Sequence, residues 1–164
     1  MENPFLGGIK QTSQAWRDLR SKLTEDKTDH DHLRMVVEFW AKAPLVTPYL
    51  NWDDPTTWLG PWELIAERKF DPSAVALGME YTLHLSDDGR WTADRLQLVL
   101  AATTDRSNQN LILIADDRYV LNHFYNEVAS IKDASKDVVI QQRYAYINKA
   151  HQVIGDNLSG LTPE

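Results

Sequence analysis

Leu96-Gln97-Leu98-Val99-Leu100-Ala101, then Leu111-Ile112-Leu113-Ile114-Ala115, then Tyr119-Val120-Leu121-Asn122-His123-Phe124: these three short apolar runs decide the fold. Polar, turn-forming stretches separate them, residues 103–110 and Asp116-Asp117-Arg118. Short aliphatic and β-branched runs between turns read as strands, and three in succession as an antiparallel meander. Residues 138–147, rich in β-branched and aromatic side chains, predict one more strand, and 148–164 read as a polar tail.

Upstream of the meander the apolar period is helical. Trp16, Leu19 and Leu23 recur at helical spacing behind Ser13, a suitable N-cap, whereas residues 1–11 with Gly7-Gly8 read as an extended arm. After a polar linker at 24–31, a second helix is predicted over 31–42. Leu33, Val36, Val37 and Trp40 form its buried face, widened by Met35 and Phe39. Pro44, Pro48 and Pro55 then break the chain into an aromatic-rich connection. Pro61 opens a short helix through Glu67, and Asp71 or Ser73 caps the next one, with Pro72 in its first turn. Its Ala74 and Gly78 permit a neighbour to approach closely. Helices followed by an antiparallel meander define an α+β fold. The expected division is an N-terminal arm with the first helix over 1–30, one globular domain over 31–150 and a tail over 151–164.

Composition excludes several functions. The chain has 164 residues, 43% hydrophobic and 25% charged, with a net charge of −7. That balance is ordinary for a globular domain and wrong for a protein that tracks phosphates, which needs clustered cations. No apolar stretch is long enough for a membrane helix, and no basic segment followed by an apolar one marks a secretory signal. The chain contains no cysteine, so disulfides, thiolate metal sites and thiol nucleophiles are all absent from it.

That absence matters because of a resemblance. Gly60-Pro61-Trp62-Glu63, the segment Lys69-Phe70-Asp71-Pro72-Ser73 and the run Val120-Leu121-Asn122-His123 follow the order of motifs in the bacterial transglutaminase-like cysteine proteinases. The chain resembles that family, and bacteriophage proteins with a similar Trp-Pro-Trp-Glu segment, from about residue 58 to 147. The resemblance implies a papain-like core in which a Cys opens a helix, a His begins one hairpin strand and an Asp ends the next. It sets Asp71 at the Cys position, within two residues, Asn110 near the His position and Asn122 at the Asp position. Those three cannot act as nucleophile, base and orienter in the usual way.

Other candidates are weighed on their residues alone. Ser73 and His123, with Asp116, invite a substitute Ser–His pair, although Ser beside Pro at a helix start ordinarily serves as a cap. Asp29-His30-Asp31-His32 is the best metal candidate, but alternate residues on an extended segment offer only His30 with His32. That is too few donors for a dedicated site. Trp52, Trp58 and Trp62 either pack the connection onto the body or line a binding groove.

The expectation is therefore a transglutaminase-like domain without catalysis, acting as a structural or protein-interaction module. A phage virion component (tail, neck or capsid-associated) found in the host cytoplasm and in the particle comes first. A soluble pseudoenzyme holding a host protein or peptide in the former groove comes second, and a Ser/His hydrolase third. Its expected partners are proteins, other virion subunits or itself, not nucleic acid or membrane, and no cofactor is expected.

Overall fold

The computed structural model describes residues 3–105 and 108–154. Helices α1 (Ile9–Lys22), α2 (Asp29–Trp40), α3 (Pro61–Glu67) and α4 (Pro72–His84) precede strands β1 (Leu96–Thr103), β2 (Gln109–Ala115), β3 (Tyr119–Val120) and β4 (Ala129–Ser130). A one-turn helix α5 (Ile131–Ala134) and strands β5 (Val138–Ile147) and β6 (Ala150–Val153) complete them. The six strands form one antiparallel sheet in the order β4-β3-β2-β1-β5-β6. This is the α+β architecture expected from the change of apolar period.

Helix α4 is the centre of the molecule. Every residue from Ser73 to Leu83 is buried, as a helix apolar all round must be. Thr82 joins three elements at its core. Its hydroxyl donates to Gly78 O and accepts from the indole N–H of Trp16 in α1 and of Trp40 in α2, at 2.8 and 3.0 Å. Gly78 lies under the Trp40 ring so closely that a Cβ there would stand 2.3 Å from it. Strand residues alternate as the pleat requires. Leu98, Leu100, Leu111 and Leu113 face the main core, while Val99, Ala101, Ile112 and Ile114 face a smaller cluster under Ala134.

Several sequence expectations are corrected here. Residues 3–8 do not form an extended arm. Phe5 is buried among Phe39, Trp40 and Phe70, with ring centroids 5.1–5.4 Å away. Arg68 clasps the segment by donating to Phe5 O and Gly7 O, both at 2.7 Å, and to the Thr12 hydroxyl. Helix α1 therefore starts at Ile9 behind Gly8, not at Ser13. Helix α2 starts two residues early because Thr28 is its cap. The Asp31 amide donates to Thr28 Oγ1 at 3.0 Å, and the Thr28 amide to the Asp31 carboxylate at 3.2 Å.

The tail is corrected as well. Asn148 and Lys149, both with left-handed backbone (φ 53° and 65°), make a two-residue turn that returns the chain as β6, paired Tyr144 to Val153 through Ile147 to Ala150. Thus 150–153 belong to the sheet and 9–22 to the helical layer. The remainder of the expected tail, 155–164, lies outside the described residues.

Candidate functional site

The start of α4 is built by three consecutive residues that face three ways. Asp71, the N-cap, points inward: one carboxylate oxygen accepts from Ala74 N at 2.7 Å, the other from Tyr49 N and Leu50 N at 2.7 and 2.9 Å. It is 2% exposed and ties the connecting loop to the helix. The Ser73 hydroxyl accepts from Leu111 N at 2.9 Å, joining α4 to β2. Between them Pro72 lines an open groove. Of the residues within two positions of the expected Cys position, Pro72 is thus the one that faces the groove.

Asn122 explains why β3 is only two residues long, where the run to Phe124 predicted a longer strand. Its side-chain amide replaces a strand peptide: Oδ1 accepts from Leu113 N at 2.8 Å, and Nδ2 donates to Leu111 O at 3.0 Å and to Pro72 O at 3.4 Å. A carboxylate could accept but not donate, so this position uses an amide for reasons of structure. Asn110 donates to Leu111 O at 2.9 Å and lines the same groove.

The groove has a volume of about 330 Å³ and opens where β3 has left the sheet. Pro72, Asn110 and Asn122 form its polar side, Val75 and Met79 part of its floor. Leu45, 62% exposed, and Tyr125, 82% exposed, stand on its apolar rim with Phe124. His123 also lines it, but its Nε2 pairs with Asp137 at 3.0 Å and its ring stacks edge-on against Phe124. The structure therefore brings Pro72, Asn110, Asn122 and His123 to one groove, with Asp71 and Ser73 directed elsewhere. Ser73 and His123 bond different partners, and Asp116 is held by Arg95 at 2.7–2.8 Å, so these three form no relay.

Trp52, Trp58 and Trp62, for which the sequence left packing or groove-lining open, do not line this groove. Trp58 is buried edge-on to Tyr144 and His151, its indole N–H donating to Asn51 O. Trp52 packs half-buried on the core, and Trp62 lies against Trp16 of α1. Connections rich in large rings dock by burying them, and here two of the three do so. His30 and His32 are also separated, because they sit on a helix rather than an extended segment. His30 is exposed beside Tyr119, while His32 is wholly buried, its Nδ1 accepting from Trp91 Nε1 and its Nε2 donating to Thr24 O. That arrangement occupies both ring nitrogens of His32.

A further polar pair escaped sequence reasoning. Glu80, within the wholly buried span of α4, accepts from His151 Nε2 at 2.6 Å, beneath Trp58, Tyr81 and Tyr146. Its other oxygen, Oε2, is buried without a partner. The available signal was a lone carboxylate inside an otherwise apolar helix, which demands a partner.

The architecture around this groove is transglutaminase-like. Solved structures of LapG from Legionella pneumophila superpose on it with TM-scores of 0.69. The calcium-bound LapG structure is 17% identical over 94% of this chain and 88% of that one. The EGTA-treated structure is 18% identical over 85% and 75%, and a third is 19% identical over 93% and 83%. At such identity the likeness is one of fold. No protein-family model matches the chain, and no curated protein sequence does.

Proposed function

We propose that this chain is a transglutaminase-like domain in which hydrolysis has given way to protein binding, an extended segment of a partner lying in the groove beside Pro72. The observation that carries this reading is Pro72 itself. The helix-opening residue that faces the groove has no nucleophilic atom, and Asn110 and Asn122 beside it have no titratable one. The exposed Leu45, Phe124 and Tyr125 supply the apolar contact that a bound segment would cover. The Ser73 hydroxyl, engaged by a strand amide, lends no support to a serine hydrolase.

For the narrower reading as a phage virion subunit, the support is the sequence resemblance, because residues 3–8 are folded onto the body rather than free as an arm. Detection in purified particles by mass spectrometry is its test. Calcium is bound in one LapG structure. The described residues of this chain bring no three His, Asp or Glu side chains together, a poor fit to a calcium cage, and no step is assigned to that ion.

A random peptide library panned on the intact protein tests the binding reading. Enriched peptides should bind without being cut and should lose roughly tenfold or more in affinity with Leu45→Asp or Tyr125→Asp. Cleavage of those peptides, or binding indifferent to both rim substitutions, would sink it.

A further inference from the structure

Away from the groove, α1 reverses the charge of the molecule. It carries Lys10, Arg17, Arg20 and Lys22 against the single carboxylate of Asp18, a net +3 within a chain of −7. Lys10, Arg17 and Arg20 fall on one helical face with Ser13 and Gln14, and with Trp62 of α3 they line a shallow cavity of about 380 Å³. Elsewhere four arginines are ion-paired: Arg34 with Glu38, Arg90 and Arg95 with Asp29, and Arg143 with Asp117. Among the described residues Lys10, Arg17 and Arg20 have no ion pair, and Arg20 Nε is buried with no acceptor.

This face is ordered before anything binds it. Trp16 is 1% exposed and fixed by its bond to Thr82. Trp62 stands edge-on to it, ring centroids 5.0 Å apart, and the Arg20 guanidinium lies over both rings at 4.2 and 5.1 Å. Pro61 in the first turn of α3 and the Glu63 bond to Gly60 N hold Trp62 in place, yet Trp62 remains 59% exposed. Rigid Trp and Arg beside one another are the side chains that dominate binding energies at interfaces. Burial of the Arg20 guanidinium lowers its pKa, Asp87 opposes this from a distance and Arg17 adds to it. Arg20 has lost water without gaining a fixed counter-ion.

We propose that the exposed face of α1 together with Trp62 is a second docking surface, for an acidic segment of a partner protein that carries an apolar side chain. Its carboxylates would supply the fixed counter-ion that the Arg17 and Arg20 guanidinium groups lack where they line the cavity, and would relieve the repulsion between them. Its apolar side chain would cover the Trp62 ring. A bare oxyanion would leave that ring in water, and a nucleic acid would meet the net −10 carried by the rest of the chain.

The test uses a fluorescein-labelled peptide of alternating Glu and Leu, read by anisotropy on the intact protein, with the same peptide bearing Gln for Glu as comparator. The Glu peptide should bind, more weakly as salt rises, and the Gln peptide should not. Trp62→Ala and Arg17→Glu, both at exposed positions, should each weaken it roughly tenfold with an unchanged melting temperature. Leu45→Asp, at the groove, should leave it intact. The proposal is overturned by equal binding of the Gln peptide, by indifference to both α1-face variants or by complete displacement with millimolar inorganic phosphate. It is equally overturned if Leu45→Asp abolishes binding, since the peptide would then sit in the groove.

Discussion

His151 Nε2 donates to Glu80 Oε1 at 2.6 Å, so the last described strand is bonded directly to the central helix through two buried side chains. The bond holds an edge strand that otherwise pairs only with β5.

Removing the imidazole should therefore cost more than a surface change. His151→Ala leaves both carboxylate oxygens of Glu80 buried without a partner, at a cost of about 2–4 kcal/mol. Urea unfolding at neutral pH measures it, with Glu80→Gln/His151→Ala expected to recover part of the loss. A loss within about 0.5 kcal/mol, the range of ordinary surface substitutions, would mean that β6 is not held by this pair.

Gly78 should tolerate no side chain. A methyl group there would overlap the Trp40 ring, so Gly78→Ala should destabilise by about 1–3 kcal/mol despite the higher helix propensity of Ala. Thermal unfolding reads the loss, and near-UV circular dichroism should report a displaced indole.

Asn122→Asp should destabilise rather than restore anything. It sets a carboxylate against Leu111 O and Pro72 O, where an amide now donates, at a cost of about 1–3 kcal/mol at neutral pH. The loss should shrink in acid, because a protonated carboxyl can donate again. An equal loss at pH 4 and pH 7 would contradict the arrangement.

Pro72→Cys tests the geometry of the groove. A thiol at the first turn of α4 should alkylate with iodoacetamide, and adding Asn110→His should accelerate the reaction several-fold if position 110 faces it. An unchanged rate in the double variant would separate the two positions.

Acid should loosen the start of α2. Burial raises the pKa of Asp29, but hydrogen bonds and charge from Arg95 and Arg90 outweigh it, and the net direction is down. A depressed carboxylate contributes stability above its unfolded pKa and loses it as pH falls through its folded one, so the loss lies below about pH 4. Asn at this position should flatten that acid limb in urea titrations. Because Asp29 is half exposed, solvent screening keeps the effect small.

Some helix starts rest on short-range signals. Pro61 and the Asp71-Pro72 pair mark the starts of α3 and α4 because a ring that fixes φ and an oxygen that caps free N–H groups act within one turn. Strands β1, β2 and β5 show in their composition. The turn at Asn148-Lys149 did not, since Lys stands where Gly would have signalled left-handed backbone. The start of α1 was missed because Arg68, some sixty residues away, is what holds residues 3–8.

The candidate site was legible as a neighbourhood and not as a set of directions. Motif order placed residues 71–73, 110 and 122–123 together. It could not say that Asp71 and Ser73 spend their oxygens on backbone amides while Pro72 faces the groove, because one residue along a helix turns a side chain by about 100°. By itself the sequence determined the α+β order, the absence of a thiol and the helix caps, which all rest on neighbours in the chain. Only the tertiary structure decided which residue faces the groove, why Asn122 is an amide and that His151 belongs to the core. Those depend on partners dozens of residues away, brought into reach by the packing of α4 against the sheet.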